Sequence, residues 1–370
     1  TNCELYFNDN EIHLQDADMY ADGGQINSII IHGNGNDLTM QNDGFFWDVY
    51  FKDITLKNNV GGRGTSNTFE NVTVEDTLSR GGNVYGDIEI TVKGTLQNNG
   101  YIDSNHDSHD FVFFVEDTIV NNGVFMAEKI QFSGNGTRYI QSLAGNVFEL
   151  EQLFNPPNGG PVEVISDLLV KNAEMNFNGH ELNLPAAGLL QLDNTEMDDV
   201  MINAAENAVI TGLNESVIKS STIDGAQLFG NFEIHEDNIF KDCILDAALV
   251  NDNIYSDIDL DLEGVFHNNN SILNRPSWSY EFYLNVIGHL MHDGVIECEE
   301  ARWRGTDDQD IYLLNGKEIN TPCEFDAMTI SGPFQWYKND VLIDGADDRQ
   351  YNLPMIGTTD RGYYHCETGQ

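Results

Sequence analysis

The chain has 370 residues, of which 61 are acidic and 17 basic, and its formal net charge at pH 7 is −44. This balance disfavours nucleic acid and anionic lipid as partners, because both need Lys and Arg at the contact. Hydrophobic residues make up 40% of the sequence, which is enough for a large folded core. No apolar run reaches the ~18 residues of a membrane helix, so we expect no membrane insertion.

Two related motifs recur along the chain. The first has the pattern Gly-x-Leu-x-Asn-x-Gly-x-Ile in its first copy, and its copies are residues 94–102, 117–125, 264–272 and 288–296. The second comprises residues 197–203, 218–224 and 240–246, with earlier relatives at residues 51–57 and 69–75. A looser third family has Asn-rich turns before short strands, as in residues 175–184. Repeats of this kind indicate a solenoid in which each unit stacks on its neighbour.

Apolar and polar residues alternate within the repeats, as a strand with one buried face requires. Ile88, Ile90 and Val92 alternate with polar residues, and the segment around Leu260 alternates with aspartates in the same way. Asn, Gly and Asp separate the strands, where left-handed backbone conformations are needed. At about 22 residues per coil, the pattern predicts a parallel β-solenoid of about 14 coils. The alternative is an ordinary β-sandwich.

The pattern of residues 94–102 resembles the coils of the right-handed parallel β-helix superfamily, often called pectin-lyase-like. The resemblance covers about residues 20–315. It implies an all-β fold with a right-handed parallel β-helix over residues 1–318, in which residues 1–25 could form an N-terminal cap.

The last fifty residues follow a different pattern. Cys323, Trp336 and the run D-R-G-Y-Y-H-C ending at Cys366 resemble an immunoglobulin-like domain. The resemblance implies an Ig-like domain over residues 319–370, a disulfide between Cys323 and Cys366, and a tyrosine corner at Tyr364. A disulfide in turn implies an extracellular compartment. Because no last strand follows Cys366, we expect either a truncated domain, which we favour, or a strand supplied by another segment.

A β-helix followed by an Ig-like module is similar to large secreted surface proteins of Bacteroidota-type bacteria. The segment Gln335-Trp336-Tyr337-Lys338-Asn339 matches one that is common in them. The similarity implies a location at the bacterial cell surface, with other domains of the same longer protein as partners.

Catalytic motifs of β-helix enzymes are matched only in fragments. Residues 194–196 and 198–199 are adjacent here, whereas polygalacturonase-type hydrolases separate the corresponding motifs by about a coil. Arg302 and Arg304 lie outside any recognisable lyase pattern. We therefore expect no catalytic residues.

Two acidic segments are candidate calcium sites, since Ca²⁺ binds carboxylate and carbonyl oxygens. One is a predicted corner loop with Asp103, Asn105, Asp107 and Asp110. The other is a strand whose polar face carries Asp257, Asp259 and Asp261. The alternatives are a solvated turn and the wet face of a strand. Calcium is the only cofactor that we expect.

Three aromatic residues are candidates for stacking on a sugar, namely Trp278, Tyr280 and Trp303. The alternative for them is packing in the core or a cap. Taken together, the sequence predicts a non-catalytic structural or adhesive segment whose partners are glycans or cell-surface proteins. The alternatives are a secreted polysaccharide lyase or hydrolase, and a subunit of an extracellular polymer completed by strand donation.

Overall fold

The computed structural model describes residues 3–41, 44–80, 86–104, 109–251, 256–275, 280–304, 309–327 and 332–368. All regular structure in these ranges is β-strand, and the described chain contains no helix that could cross a membrane. The predicted all-β parallel solenoid of about 14 coils is confirmed. The chain divides into two compact units, Thr1–Thr195 and Glu196–Gln370. The boundary expected after residue 318 stays a prediction.

The strands of the first unit are short and closely spaced. They are β1 (Cys3–His13), β2 (Met19–Asp22), β3 (Gly24–His32), β4 (Asp37–Gln41), β5 (Phe45–Lys57), β6 (Asn59–Arg63), β7 (Asn67–Val74), β8 (Thr77–Arg80), β9 (Ile88–Val92), β10 (Thr95–Asn98), β11 (Tyr101–Asp103), β12 (Phe111–Val115), β13 (Thr118–Asn121), β14 (Val124–Phe132), β15 (Arg138–Ser142), β16 (Phe148–Phe154), β17 (Val162–Val164), β18 (Asp167–Lys171), β19 (Glu174–Leu184) and β20 (Leu189–Asp193).

The second unit continues the strand numbering. Its strands are β21 (Glu196–Ala204), β22 (Val209–Lys219), β23 (Thr222–Asp224), β24 (Gln227–His235), β25 (Asn238–Lys241), β26 (Ile244–Leu245), β27 (Ala248–Asn251), β28 (Ile258–Asn268), β29 (Ser271–Asn274), β30 (Phe282–His292), β31 (Val295–Glu297), β32 (Glu300–Arg304), β33 (Gln309–Leu313), β34 (Cys323–Asp326), β35 (Phe334–Lys338), β36 (Val341–Leu342), β37 (Gln350–Leu353) and β38 (Gly362–Thr368).

Apolar side chains stack from coil to coil inside the first unit. Parallel pairing of β3, β5, β7, β9, β12 and β14 places one inward residue of each strand directly above the next. This buried column comprises Ile31, Phe51, Phe69, Val92, Val115 and Phe132. Because side chains alternate along a strand, the residues between them face outward.

Most of the sequence repeats are stacking partners. Leu96 pairs with Ile119 in the first unit, and Phe266 pairs with Leu290 in the second. The alignment of the second motif is partly wrong, because Phe240 stacks on Ile223 and not on Ile218. That coil is shorter than the motif spacing indicated. Alternation of apolar residues fits either alignment, so the pattern alone did not fix the register.

Polar side chains are buried at the corners of the Gly-Asn repeats. Asn98 and Asn121 are fully buried, and the Asn98 Nδ2 donates to the Asn121 Oδ1 at 3.0 Å. The Oδ1 of Asn98 accepts from the Gly100 amide, and that of Asn121 from the Gly123 amide. Each buried amide group therefore satisfies backbone groups that the corner would otherwise leave unpaired.

The C-terminal strands of the second unit continue its stack and then turn antiparallel. Strand β34 lies parallel to β32, whereas β37 pairs antiparallel with β34. Strand β38 runs antiparallel to both β33 and β35. These strands cover the edges of β32 and β33, which would otherwise present unpaired backbone groups.

Aromatic side chains fill the space between these antiparallel pairs. Phe325 lies 4.7 Å from Tyr364 and 6.2 Å from Trp336 between ring centroids. The Trp336 Nε1 donates to the Asp348 carbonyl at 3.0 Å, and the Tyr364 hydroxyl donates to the Asp360 carbonyl at 2.7 Å. The two ring donors are thus satisfied within the core.

The predicted Cys323–Cys366 disulfide is not found, because both residues are free thiols. The Cys323 Sγ donates to the Thr321 carbonyl at 3.1 Å, and the Cys366 Sγ is directed toward the Glu367 carbonyl at 3.8 Å. Each thiol is oriented toward a backbone acceptor of its own segment. Burial raises the pKa of Cys323 well above its usual range, so this thiol is protonated at neutral pH.

Candidate functional site

The outward side chains of four stacked strands form a densely charged surface in the second unit. Strands β28, β30, β32 and β34 pair in parallel, and Asp261, Asn285, Arg302 and Glu324 occupy one register position on them. We call this surface the acidic–arginine face. Its members are Asp259, Asp261, Tyr283, Asn285, Glu300, Arg302, Arg304 and Glu324.

Asn285 joins the two aspartates of β28. Its Nδ2 donates to the Asp259 Oδ1 at 3.1 Å and to the Asp261 Oδ1 at 2.7 Å. The residue is only 7% exposed, and its Oδ1 is buried without a hydrogen-bond partner in the described chain. Buried carbonyl oxygens normally have a partner, so this oxygen marks a position where a ligand would gain an interaction.

Arg302 lies between the aspartates and the next carboxylates. Its Nε donates to the Glu300 Oε2 at 2.6 Å, and its Nη1 lies 3.9 Å from the Asp259 Oδ1. The guanidinium carbon is 3.4 Å from the centre of the Tyr283 ring. Stacking of this kind holds an arginine flat against the sheet, and the Arg302 side chain keeps 16% of its surface exposed.

Two carboxyl groups of this face have raised pKa values. Burial raises the pKa of Asp261, the charges of Asp259 and Asp237 raise it further, and the hydrogen bond from Asn285 opposes the shift. Burial and the charge of Glu300 likewise raise the pKa of Glu324, which ion-pairs with Arg304 at 3.9 Å. Both groups therefore keep a proton to a higher pH than an exposed carboxyl does.

The orientation of the Asn285 amide decides how many oxygen ligands this face offers to a metal ion. Rotation of this amide by half a turn would exchange Nδ2 and Oδ1 and place three oxygen donors together. Oxygen donors of this type are what Ca²⁺ prefers. The residues present therefore fit a calcium ion held by Asp259, Asp261 and Asn285.

The distance between the two carboxyl groups with raised pKa values decides whether they can act together as a catalytic acid and base. Asp261 and Glu324 are separated by three strand spacings, or about 14 Å at ~4.8 Å per strand. Glycosidases hold their two carboxyl groups roughly 5–9.5 Å apart. The two carboxyls with raised pKa values are therefore too far apart to act as a hydrolase pair.

The predicted calcium residues are distributed over different places. Asp257 is exposed, and its Oδ1 accepts from the Glu281 amide at 2.9 Å, whereas Asp259 and Asp261 meet at Asn285. In the predicted corner loop, Asn105 and Asp107 lie outside the described residues. Asp103 ends β11, and the amide of exposed Asp110 donates to the Asp87 Oδ1 at 3.1 Å.

The three predicted sugar-stacking residues also do not form one site. Trp278 lies outside the described residues, and Tyr280 is 36% exposed. Trp303 is only 1% exposed and stacks on Phe325 at 5.0 Å, so a sugar cannot reach its ring. The alternation of β32 explains this correction, because Arg302 and Arg304 face outward and the residue between them must face inward.

Six members of the face were not predicted as site residues, namely Tyr283, Asn285, Glu300, Arg302, Arg304 and Glu324. A signal for Asn285 was present in the sequence. The repeat that places Gly264 beside Gly288 also places Asp261 beside Asn285. Glu324 gave no such signal, since its strand lies in the segment that departs from the repeat.

Comparisons with protein-family models, with curated protein sequences and with solved structures each found no match to this chain.

Proposed function

We propose that this chain is a non-catalytic structural and adhesive segment of a larger modular protein at the bacterial cell surface. In this proposal the solenoid is a scaffold, and the acidic–arginine face binds a glycan or a cell-surface protein. One observation carries the proposal. Arg302 is stacked on Tyr283 beside the buried Asn285 Oδ1, which makes no hydrogen bond within the described residues, and together they form an ordered polar surface next to an aromatic ring.

We further propose that the solenoid is a right-handed β-helix of the pectin-lyase-like kind and that residues 319–370 form an Ig-like module. The pairing of β34 with β37 and of β35 with β38 supports the second assignment. The bond from the Tyr364 hydroxyl to the Asp360 carbonyl is the contact that a tyrosine corner makes.

A glycan array tests the adhesive role. We expect the wild-type protein to bind a subset of glycans and Arg302→Ala to lose most of that signal, because the guanidinium supplies donors toward the ligand. Arg275→Ala is the matched control, since Arg275 is an exposed arginine outside the face that ion-pairs with Glu233. Equal binding by both variants, or no binding by the wild type to glycans or to cell surfaces, would contradict the proposal.

Calcium is proposed as a cofactor of this face. Isothermal titration of the wild type with Ca²⁺ should give heats that Asp261→Asn reduces strongly, because that variant removes one anionic ligand. Asp257→Asn should bind calcium as the wild type does, since its side chain is occupied with the Glu281 amide. Identical heats for Asp261→Asn and the wild type would rule out this site.

A second candidate function is a secreted polysaccharide lyase or hydrolase. The observation that favours it is the raised pKa of Asp261 beside Asp259, with Arg302 close to the pair. Perturbed carboxyls next to an arginine are frequent in active sites. Shortening of a polysaccharide separates this function from simple binding.

A further inference from the structure

The first unit has a cluster of two histidines and one glutamate on neighbouring coils. Glu11 and His13 lie two residues apart on β1, so both face the same side of the strand. His32 ends β3 and is the register partner of His13. Parallel pairing therefore stacks the two imidazoles, with ring centroids 4.3 Å apart and ring planes 10° from parallel.

The ligand atoms of the cluster converge. The Glu11 Oε2 lies 3.2 Å from the His13 Nε2 and 3.6 Å from the His32 Nε2. One ligand atom from each of the three residues lies within 4.8 Å of the other two. The His32 Nε2 is buried and makes no hydrogen bond within the described chain. At 3.6 Å the Glu11 carboxylate is too far for a hydrogen bond, so within the described chain this buried nitrogen keeps a lone pair or a proton that no hydrogen bond satisfies.

We propose that Glu11, His13 and His32 bind a divalent transition-metal ion of the zinc class. Two imidazoles and one carboxylate form a set that zinc uses in proteins, and imidazole also suits copper and nickel. Calcium and magnesium are disfavoured, because they require oxygen ligands. Water completes the coordination, since Glu11 and His13 are exposed.

The surroundings of the cluster favour a cation. Lys52 is the register partner of His32 on the far side, and its Nζ is 2.5 Å from the Glu70 Oε1. That ion pair offsets the charge of Lys52, so it does not oppose a metal at His32 as a free ammonium would.

The site acts as a clamp between coils. Glu11 and His13 belong to β1, which in the described chain pairs only with β3, whereas His32 belongs to β3 itself. A metal bound to all three residues would tie these strands together through their side chains. Ligands that bind only the folded state raise its stability.

Titration calorimetry on the full chain without an affinity tag tests the proposal, with Zn²⁺ as the probe and Ca²⁺ as the comparison. We expect one zinc ion per chain, a higher melting temperature with zinc, and no comparable effect of calcium. Substitutions outside the ligand set already cost about 10–100-fold in metal affinity, so His32→Ala and His13→Ala should each weaken binding by at least ~10-fold. Co²⁺ in place of Zn²⁺ should give visible absorption bands that both variants lose.

His235→Ala is the matched control. Glu233 and His235 repeat the Glu-x-His spacing on β24, with 3.9 Å between their side chains, but Lys219 lies in register with His235 on β22. This variant should bind zinc as the wild type does. If His32→Ala does not fold by circular dichroism, Glu11→Gln replaces it, since its side chain keeps the same size. Zinc binding that is absent, or unchanged in every folded ligand variant, would overturn the proposal.

Discussion

Two corners of the solenoid, one in each unit, have the same motif but different side chains. In the first unit, Asn98 bonds to Asn121 in the next coil. In the second, the Asn268 Nδ2 donates to the His292 Nδ1 at 3.2 Å. All four residues are fully buried. The buried Asn of one coil therefore needs an acceptor in the next coil, and either an amide oxygen or a neutral imidazole nitrogen supplies it.

The residue two positions after the first buried Asn also differs between the corners, being Gly100 in the first unit and Asn270 in the second. A Cβ on Gly100 would lie 2.0 Å from the Asp76 carbonyl oxygen. The second unit has Asn270 at the corresponding place, and its Nδ2 donates to the Asp246 carbonyl at 2.9 Å. Close contact with the coil below therefore requires glycine only where the backbones approach this closely. The two corners should therefore differ in two ways. Acid should affect the second corner through His292, and the second corner should accept a side chain at residue 270.

The largest effect is expected from filling the glycine positions that both corners share. A Cβ on Gly123 would lie 2.1 Å from the Gly100 carbonyl oxygen, and one on Gly294 would lie 2.0 Å from that of Asn270. Overpacking against backbone should cost about 3 kcal/mol or more in either unit. Urea unfolding of Gly123→Ala and Gly294→Ala measures this cost. Gly136→Ala is the control, since its Cβ meets nothing within 4 Å and should change stability little.

Removal of the buried amide is the next test. Asn98→Ala removes the acceptor of the Gly100 amide and the donors to Asn121 and Val124, so we expect a loss of about 2–3 kcal/mol. Asn268→Ala should cost a similar amount. Asn122→Ala, which changes an exposed neighbour, should stay within about 0.5 kcal/mol of the wild type. If Asn98→Ala matched that control, the corner bonds would not contribute to stability.

The histidine makes the second corner sensitive to acid. Burial lowers the pKa of His292 to about 4 from its ordinary value of 6.5. The unfolded chain therefore binds more protons between these values, and this part of the stability is present above pH 6.5 and lost as the pH falls toward 4. We expect a loss of about 1–3 kcal/mol across that range.

His292→Asn sharpens the comparison by giving the second corner the side chain of the first. Between pH 6.5 and 4, its melting temperature should fall less than that of the wild type, because asparagine does not titrate. His180→Asn is a suitable control, since His180 lies on β19 outside both corners and is only half-buried, so the variant should keep the wild-type profile. Parallel profiles for His292→Asn and the wild type would show that His292 does not cause the acid sensitivity.

The smallest effect is expected at Asp261, whose side chain lies on the outward face of β28. Because burial raises the pKa of Asp261, the folded state binds more protons than the unfolded state just above pH 4, and the ionised side chain lowers stability at neutral pH. Asp261→Asn in calcium-free buffer should therefore raise stability at pH 7 by up to ~1 kcal/mol, with the gain vanishing near pH 4. A destabilised variant at pH 7 would contradict this sign.

The stacking register could be read correctly from the motif whose copies share a buried polar corner, whether that corner is Asn or His. Leu96 with Ile119 is one example, and Gly264 with Gly288 is another. The motif around Phe240 has no such corner, so several alignments kept its apolar alternation and the wrong one was chosen. Trp303 was predicted to bind a sugar because of its residue type. Its neighbours Arg302 and Arg304 face outward, so the alternation of side chains along the strand already placed Trp303 in the core.

The cluster of Glu11, His13 and His32 was not predicted from the sequence. Its residues lie in two coils that share no recognisable motif, so only the observed pairing of β1 with β3 brings them together. Whether Cys323 and Cys366 form a disulfide also depends on details of the three-dimensional structure. Order and spacing suggested a bridge, but the orientation of each thiol cannot be read from spacing.

The central functional claim is that the acidic–arginine face binds its partner without altering it. The most direct measurement is the chain length of neutral and uronate-containing polysaccharides after long incubation with the protein and calcium, determined by size-exclusion chromatography. We predict that a bound polysaccharide keeps its full length with the wild type. Shortening by the wild type that is abolished in Asp261→Asn or Arg302→Ala would contradict the claim and establish an enzyme.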